Sequence, residues 1–285
     1  MATNLIRAGF PLTLHNRSRG RELLVLEGLQ AMAVEPQRAA CAAEAVANAD
    51  IVCLCLSDDA AVQEVLLGCS SATATTAALP HLRPGAVVID FSTIAPATSR
   101  TLAARLAEQQ VAYIDAPVTG GTEGAKAGTL SVLVGGAPEH LERARPVLEV
   151  VGGRITHIGP VGSGQEAKAV NQVLVAGSYA AVAEAVALGQ RLGLPMERVL
   201  AALKSGAAGS WALEHRSTNM LTGTFPLGFK LALHHKDLAI ALEAAAAAGV
   251  GLPITERVAA IERELMEAGF GQEDVSALAR YYLKG

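Results

Sequence analysis

The chain has 285 residues, of which 51% are hydrophobic and 18% charged, with a formal net charge of −4. That length supports two domains with sizeable cores, and that composition excludes a disordered chain. A negative balance with no Lys/Arg block leaves no electrostatic footprint for nucleic acid or an anionic membrane surface.

The apolar runs are broken by charge or Gly before membrane-spanning length, so no transmembrane helix is expected. Asn4 and Arg7 interrupt the start, and no secretory signal is read. Cys41, Cys53, Cys55 and Cys69 lack zinc spacing, and Cys53 and Cys55 sit in an apolar run. They read as buried free thiols of a cytoplasmic protein.

In chain order, Met1 to Ala8 reads as the tail of a helix closed by Gly9. Leu12 to His15 is a short strand that ends in Asn16-Arg17-Ser18, and Ser18 can cap a helix running to about Gln30. Ile51 to Leu56 is a continuous apolar strand ending at Ser57-Asp58-Asp59. Ala86 to Asp90 is another, ending at Phe91-Ser92-Thr93, and Val111 to Asp115 runs into Ala116-Pro117-Val118-Thr119-Gly120-Gly121. Helix-length segments such as Pro96–Gln109 lie between. Strands apolar on both faces, alternating with helices, predict a parallel sheet covered on both sides. Leu130–Val134 and Arg154–Ile158 flank a helix at Pro138–Val150 and extend that sheet.

After Gly164 the texture changes to helices punctuated by Gly and Pro, with Leu227–Ala248 the strongest. The expected division is an α/β domain over 1–162 and an all-helical domain over 163–285. Polar residues of the first half gather at strand carboxyl ends, the edge where open α/β sheets bind ligands. Asp58 and Asp59 read as an N-cap and a first-turn acid. His234 and His235 have no acids at metal spacing, and Trp211 and Phe229 read as core or pocket wall.

The stretch from Gly159 to Gln172 joins the two halves. Three glycines and a proline break the preceding strand, and a long helix without Pro comes next. On that helix Lys168, Asn171 and Gln172 fall at i, i+3 and i+4 and share one face. An ammonium and two amides on an otherwise apolar helix are costly to bury unpartnered, which marks a candidate site.

No G-x-G-x-x-G lies between a strand and a helix. Yet the segment Met1 to Gly9 resembles the stretch just after the glycine fingerprint in the β-hydroxyacid dehydrogenase family. The resemblance runs on through Asp115-Ala116-Pro117-Val118-Thr119-Gly120-Gly121, Gly128 to Gly136, Gly162 to Gln172, and Lys236-Asp237-Leu238. Asn171-Gln172 and the tail Asp274 to Leu278 look most like the tartronate semialdehyde reductase branch. The resemblance implies a Rossmann-type parallel-sheet domain, whose first strand and phosphate loop would lie upstream of Met1, followed by an all-α domain.

It also implies site roles. Lys168 would be the general acid/base. Thr119, with the N–H groups of Gly120 and Gly121, would hold the substrate carboxylate. Asn171 or Gln172 would orient the substrate oxygen, and Lys236 would lie near substrate and nicotinamide. Cofactor positions would be Asn16, Arg17, Ser18, Leu56, Ser57, Thr93, Phe229 and Lys236. The family usually has Ser where Thr119 stands, and many members have Asn at the position of Gln172.

The residue types suit hydride-transfer chemistry, in which the protein supplies positioning and one proton. A free Lys titrates near ~10.4. Burial and a second ammonium at Lys236 would lower that, so Lys236 is expected to tune Lys168. Where NAD-specific domains place an acid, this chain has His15-Asn16-Arg17-Ser18, and Arg17 can pair with a 2′-phosphate. NADP(H) is therefore expected over NAD(H). The expected substrate is a small carboxylate-bearing aldehyde or hydroxyacid, with tartronate, methylmalonate and succinate semialdehydes and glyoxylate open. A homodimer or homotetramer is expected. The rival reading is a non-catalytic binding or scaffold protein of the same fold.

Overall fold

The computed structural model describes residues 1–18, 20–29, 36–68 and 75–283. Cys69 and Gln30 lie outside them. The chain divides into two compact units, Met1–Lys168 and Ala169–Gly285.

The first unit begins with α1 (Ala2–Arg7), β1 (Thr13–Leu14), α2 (Leu23–Glu27), β2 (Gln37–Arg38) and α3 (Ala42–Val46). Then come β3 (Ile51–Leu54), α4 (Asp59–Leu67), a short 3-10 turn, β4 (Val87–Asp90), α5 (Pro96–Ala107) and β5 (Ala112–Asp115). The unit closes with β6 (Val118–Thr119), α6 (Gly121–Ala127), β7 (Leu130–Gly135), α7 (Pro138–Val151) and β8 (Gly152–Gly159). Gly9, at φ +88°, ends α1 as expected, because a left-handed residue is needed there and Gly takes it without strain. Ser18 does not cap α2. Glu22 stands at that N-cap, with its carboxylate accepting the Gly20 N–H.

Strands β1 and β2 pair with each other, in parallel, as a small separate sheet. The main sheet has six strands in the order β3-β4-β5-β7-β6, with β8 paired to β7. Strands β3, β4 and β5 are parallel, and β8 is parallel to β7. The expected extension is not uniformly parallel, since β7 runs antiparallel to both β5 and β6. The segment from β5 to β7 is used up by β6, which pairs antiparallel with β7, and by the short α6, rather than by a helical crossover.

Both faces of the sheet are covered. On one face Val52, Leu54, Val88 and Tyr113 pack against Val62, Leu66, Leu102 and Leu106. On the other, Val87, Ile89, Ile114, Val132 and Val134 meet Leu5 and the Leu141, Ala144, Val147 and Leu148 stripe of α7. The buried-thiol expectation is corrected for Cys53 and Cys55, which are exposed. Strand β3 is an edge of the six-stranded sheet, and the face carrying the two thiols is open while Val52 and Leu54 on the other face are buried. Neighbouring protein atoms still crowd them, pushing the Cys53 thiol up to about 12 and Cys55 upward too, so accessibility does not make them reactive.

Helix α8 (Ser163–Arg191) crosses the division between the units. The second unit adds α9 (Met196–Leu203), α10 (Trp211–Thr222), α11 (Leu231–Ala247), α12 (Pro253–Glu267), a 3-10 turn over Val275–Leu278, and α13 (Ala279–Leu283). Its core joins Ala176, Tyr179, Ala183 and Val186 of α8 to Leu213, Met220, Leu231, Leu238, Ile261 and Leu265. At 29 residues, α8 is long and apolar enough to cross a membrane by length and composition, contrary to the reading of the apolar runs. Alanine and Val dominate it, and one face, with Ala176, Ala183 and Val186, packs in this core while Val170, Leu174 and Leu188 on another face are exposed.

Candidate active site

The carboxyl ends of β3, β4 and β5 lie side by side because the three strands are parallel and in register. A chain of hydrogen bonds ties the loops that succeed them. Leu56 N–H donates to Ser92 Oγ at 2.9 Å, and Ala95 N–H donates to Asp59 Oδ1 at 3.0 Å. Asp58 caps α4 by accepting the Ala61 N–H at 2.8 Å, so Asp58 and Asp59 are the cap and first-turn acid read from the sequence. Ser57 is exposed and Thr93 half-buried on this edge.

Asp115, the last residue of β5, fixes where α8 begins. Its fully buried carboxylate accepts Gly162 N–H at 2.7 Å and Gln165 N–H at 2.9 Å. Burial pushes this carboxyl above the usual range, and the backbone donors of Gly162, Gln165 and Gly164 oppose that shift. The approach is close enough to demand glycine. A Cβ on Gly135 would lie 2.5 Å from Asp115 Oδ1, and one on Gly164 would lie 2.8 Å from Oδ2. Gln165, also buried, bridges to the β4 loop, accepting Ile94 N–H at 3.3 Å and donating to Ser92 carbonyl at 2.8 Å.

One turn into the helix so anchored, Lys168 is buried, and its Nζ donates to the Val118 carbonyl at 2.9 Å. Val118 immediately precedes the Thr119-Gly120-Gly121 turn, so the structure brings Lys168 next to that turn within one unit. Gly120 (φ +128°) and Gly121 (φ +64°) both hold backbone conformations that side chains resist. Thr119 is half-buried at the end of β6. An ammonium bonded to the carbonyl just before a Thr and a glycine turn is the kind of group that can pair with a carboxylate and exchange a proton.

The second unit organises the other polar residues. Gln172 is buried, and its amide is engaged at both ends. Nε2 donates to Asp237 Oδ2 at 2.6 Å, and Oε1 accepts from Asn171 Nδ2 at 2.7 Å. The other carboxylate oxygen of Asp237 pairs with Lys236 Nζ at 2.8 Å. Phe229 is half-buried and meets the His234 ring edge-on at 5.7 Å. His234 has an acidic companion that spacing did not reveal, as buried Glu262 holds its Nδ1 at 2.5 Å. Trp211 is exposed rather than core, stacked on His215 at 4.5 Å and covered by Arg216. Among the described residues no group of His, Cys, Asp and Glu could hold a metal.

At the end of β1, Asn16 Nδ2 donates to the Ser18 carbonyl at 2.8 Å, while Arg17 and Ser18 are exposed. A guanidinium, a hydroxyl and an amide stand together at this strand end with no acid among them. Asp115, Gln165 and Asp237 are the residues that motif-free reading of the sequence missed. The available signal was a polar side chain at the end of an apolar strand or inside an apolar helix, which burial obliges to find partners.

Two family models cover the chain almost end to end. Residues 1–159 match the NAD binding domain of 6-phosphogluconate dehydrogenase, and residues 162–282 match the NAD-binding model of NADP-dependent 3-hydroxyisobutyrate dehydrogenase. The NAD-dependent L-serine dehydrogenase of Pseudomonas aeruginosa is 35% identical over 99% of this chain and 93% of its own length. The 2-hydroxy-3-oxopropionate reductase of Escherichia coli is 37% identical over 98% of this chain and 91% of its own. The crystal structure of a 3-hydroxyisobutyrate dehydrogenase from Salmonella typhimurium superposes with a TM-score of 0.87 at 27% identity, covering 98% of this chain and 94% of that one. The chain belongs to the β-hydroxyacid dehydrogenase family of NAD(P)-dependent oxidoreductases.

Proposed function

We propose that this protein interconverts a small β-hydroxyacid and its semialdehyde, of the 3-hydroxyisobutyrate or tartronate semialdehyde type, preferring NADP(H) and accepting NAD(H). The observation that carries this reading is the buried Lys168 ammonium, held 2.9 Å from the Val118 carbonyl next to the Thr119-Gly120-Gly121 turn. When bound, the nicotinamide supplies or removes the hydride. The chain's own residues do the rest. Thr119 Oγ1 and the N–H groups of Gly120 and Gly121 receive the substrate carboxylate. Lys168 Nζ meets the oxygen at which negative charge develops, stabilises it, and passes a proton to it or takes one from it.

Asn171, three residues along the same helix, orients that oxygen. Gln172 is a positioning residue, since its amide is spent on Asn171 and Asp237. The cofactor preference rests on Asn16, Arg17 and Ser18 at the end of β1, where an acid would repel a 2′-phosphate. Leu56, Ser57 and Thr93 would contribute the edge of that cofactor site.

The test is turnover of tartronate, methylmalonate and succinate semialdehydes and glyoxylate with NADPH, by the wild-type chain and by Lys168→Met. We expect at least one substrate to be turned over, and Lys168→Met to lower kcat by ~10²–10⁴-fold. NADPH affinity should stay within a few-fold. A Lys168→Met protein with wild-type kcat, or a wild-type chain inert toward the whole panel, would overturn the reading.

A further inference from the structure

Asp90 ends β4 with its carboxylate fully buried at the ligand edge of the sheet, and none of the roles given above uses it. Three donors converge on that carboxylate. Ser92 N–H donates to Oδ1 at 2.9 Å, the Tyr113 hydroxyl donates to Oδ2 at 3.0 Å, and the Ser92 hydroxyl donates as well. The titratable groups that face it are Cys55, just beyond β3, and Tyr113 and Asp115 on β5. None of these can carry positive charge. Helix α5 contributes the Ser99 hydroxyl, 3.4 Å from that of Tyr113.

Ser92 is buried too, and it passes this grip on to two other elements. Its Oγ accepts Leu56 N–H at 2.9 Å, in the loop after β3. Its carbonyl accepts Gln165 Nε2 at 2.8 Å, and Gln165 stands three residues before Lys168 on α8. We propose that Asp90 is a positioning residue which, through Ser92, holds the Leu56 loop and the first turn of the Lys168 helix in one fixed arrangement. This rests on the reading of Lys168 as the group that exchanges the proton.

The charge on Asp90 is what fixes Ser92. An ionised carboxylate only accepts, so the Ser92 hydroxyl points its proton inward and presents its lone pairs to Leu56 N–H. Protonation makes one carboxyl oxygen a donor, and the hydroxyls around it must turn to receive it. Burial pushes the Asp90 carboxyl up to about 6, so at neutral pH the charge is kept at a cost to the fold. A side chain present for packing alone has no need of that charge. Misplacing a positioned group by about 1 Å can cost ~10²-fold in rate, which is the scale on which a loosened Ser92 is felt.

The test is an amide nuclear magnetic resonance titration of the full chain from about pH 5 to pH 8, run beside kcat with NADPH over the same range. The Leu56 backbone and Gln165 side-chain signals should move together with a midpoint of about 6, and kcat should fall along the same curve as pH drops. Tyr113→Phe removes a donor that favours the ionised form, so the amide and kcat midpoints should both move upward. Asp90→Asn should leave both signals flat and lower kcat at neutral pH by ~10-fold or more. Signals that do not titrate in wild type would overturn the proposal. So would wild-type kcat in Asp90→Asn, or a kcat midpoint that stays in place in Tyr113→Phe while the amide midpoint moves. A chain inert toward every substrate would sink the reading of Lys168 instead, and the amide titration with its shift in Tyr113→Phe still decides whether Asp90 sets the two elements. If Asp90→Asn does not fold, Tyr113→Phe carries the test.

Discussion

Gln172 and Asp237 are joined by a 2.6 Å hydrogen bond between two buried side chains 65 residues apart. The bond orients the Gln172 amide so that its oxygen faces Asn171, while the second carboxylate oxygen of Asp237 holds Lys236. One acid therefore sets the geometry of three polar residues. Asp237→Asn replaces an oxygen that accepts by an amide that can only donate, so either Gln172 or Lys236 loses its partner. We expect a loss of ~1–3 kcal/mol in urea denaturation. A double-mutant cycle of Gln172→Ala with Asp237→Ala should show a coupling of at least ~1 kcal/mol. Additive losses would show that the two side chains act independently.

Asp90 gives a pH dependence of stability with an unusual sign. Burial pushes its carboxyl up to about 6, against the Ser92 and Tyr113 hydrogen bonds, which favour ionisation. A carboxyl raised on folding binds its proton more tightly in the native state than in the unfolded one. Its contribution is therefore most favourable below the unfolded pKa and is lost as pH rises through about 6. Asp90→Asn removes this term. The stability of wild type relative to Asp90→Asn should fall between pH 4 and pH 7, as read by thermal melts across that range. A difference independent of pH would mean that Asp90 titrates normally.

Cofactor choice is testable at the end of β1. Asn16→Asp places a carboxylate where a 2′-phosphate would sit, and Arg17→Ala removes the candidate partner of that phosphate. Each should lower kcat/KM for NADPH by ~10-fold or more while leaving that for NADH within a few-fold. Equal effects on the two cofactors would remove this turn from the cofactor site.

Gly164 tests how tightly the start of α8 is held. A methyl there would run into the Leu133 carbonyl oxygen and come within 2.8 Å of Asp115 Oδ2. Both obstacles sit in the sheet and cannot swing away. Gly164→Ala should cost ~1–3 kcal/mol of stability. It should also lower kcat, because the displaced first turn leads directly into the turn that carries Lys168. Unchanged stability and turnover would show slack that the geometry denies.

Much of the fold was legible in the sequence because its signals are local. Ile51–Leu54, Val87–Asp90 and Ala112–Asp115 are short apolar runs ended by polar turns, and Gly9, Pro96 and Pro138 punctuate helices where chain stereochemistry requires. The Lys168 helix and the Thr119 turn were legible through motif and spacing. The antiparallel entry of β7, the open face bearing Cys53 and Cys55, and the exposure of Trp211 were not. None of these has a local cause.

The sequence by itself determined where most strands and helices lie, that Gly9 ends the first helix, and that an ammonium and two amides share a face of one long helix. Periodicity and backbone stereochemistry act over a few residues, and those few residues are present in the string. Only the tertiary structure decided that Asp115 anchors that helix, that Gln172 is spent on Asp237, and that His234 is matched by Glu262. Each is a demand by a buried polar group for a partner. Burial creates such a demand, but the residue that meets it comes from a distant part of the chain that folding brings alongside.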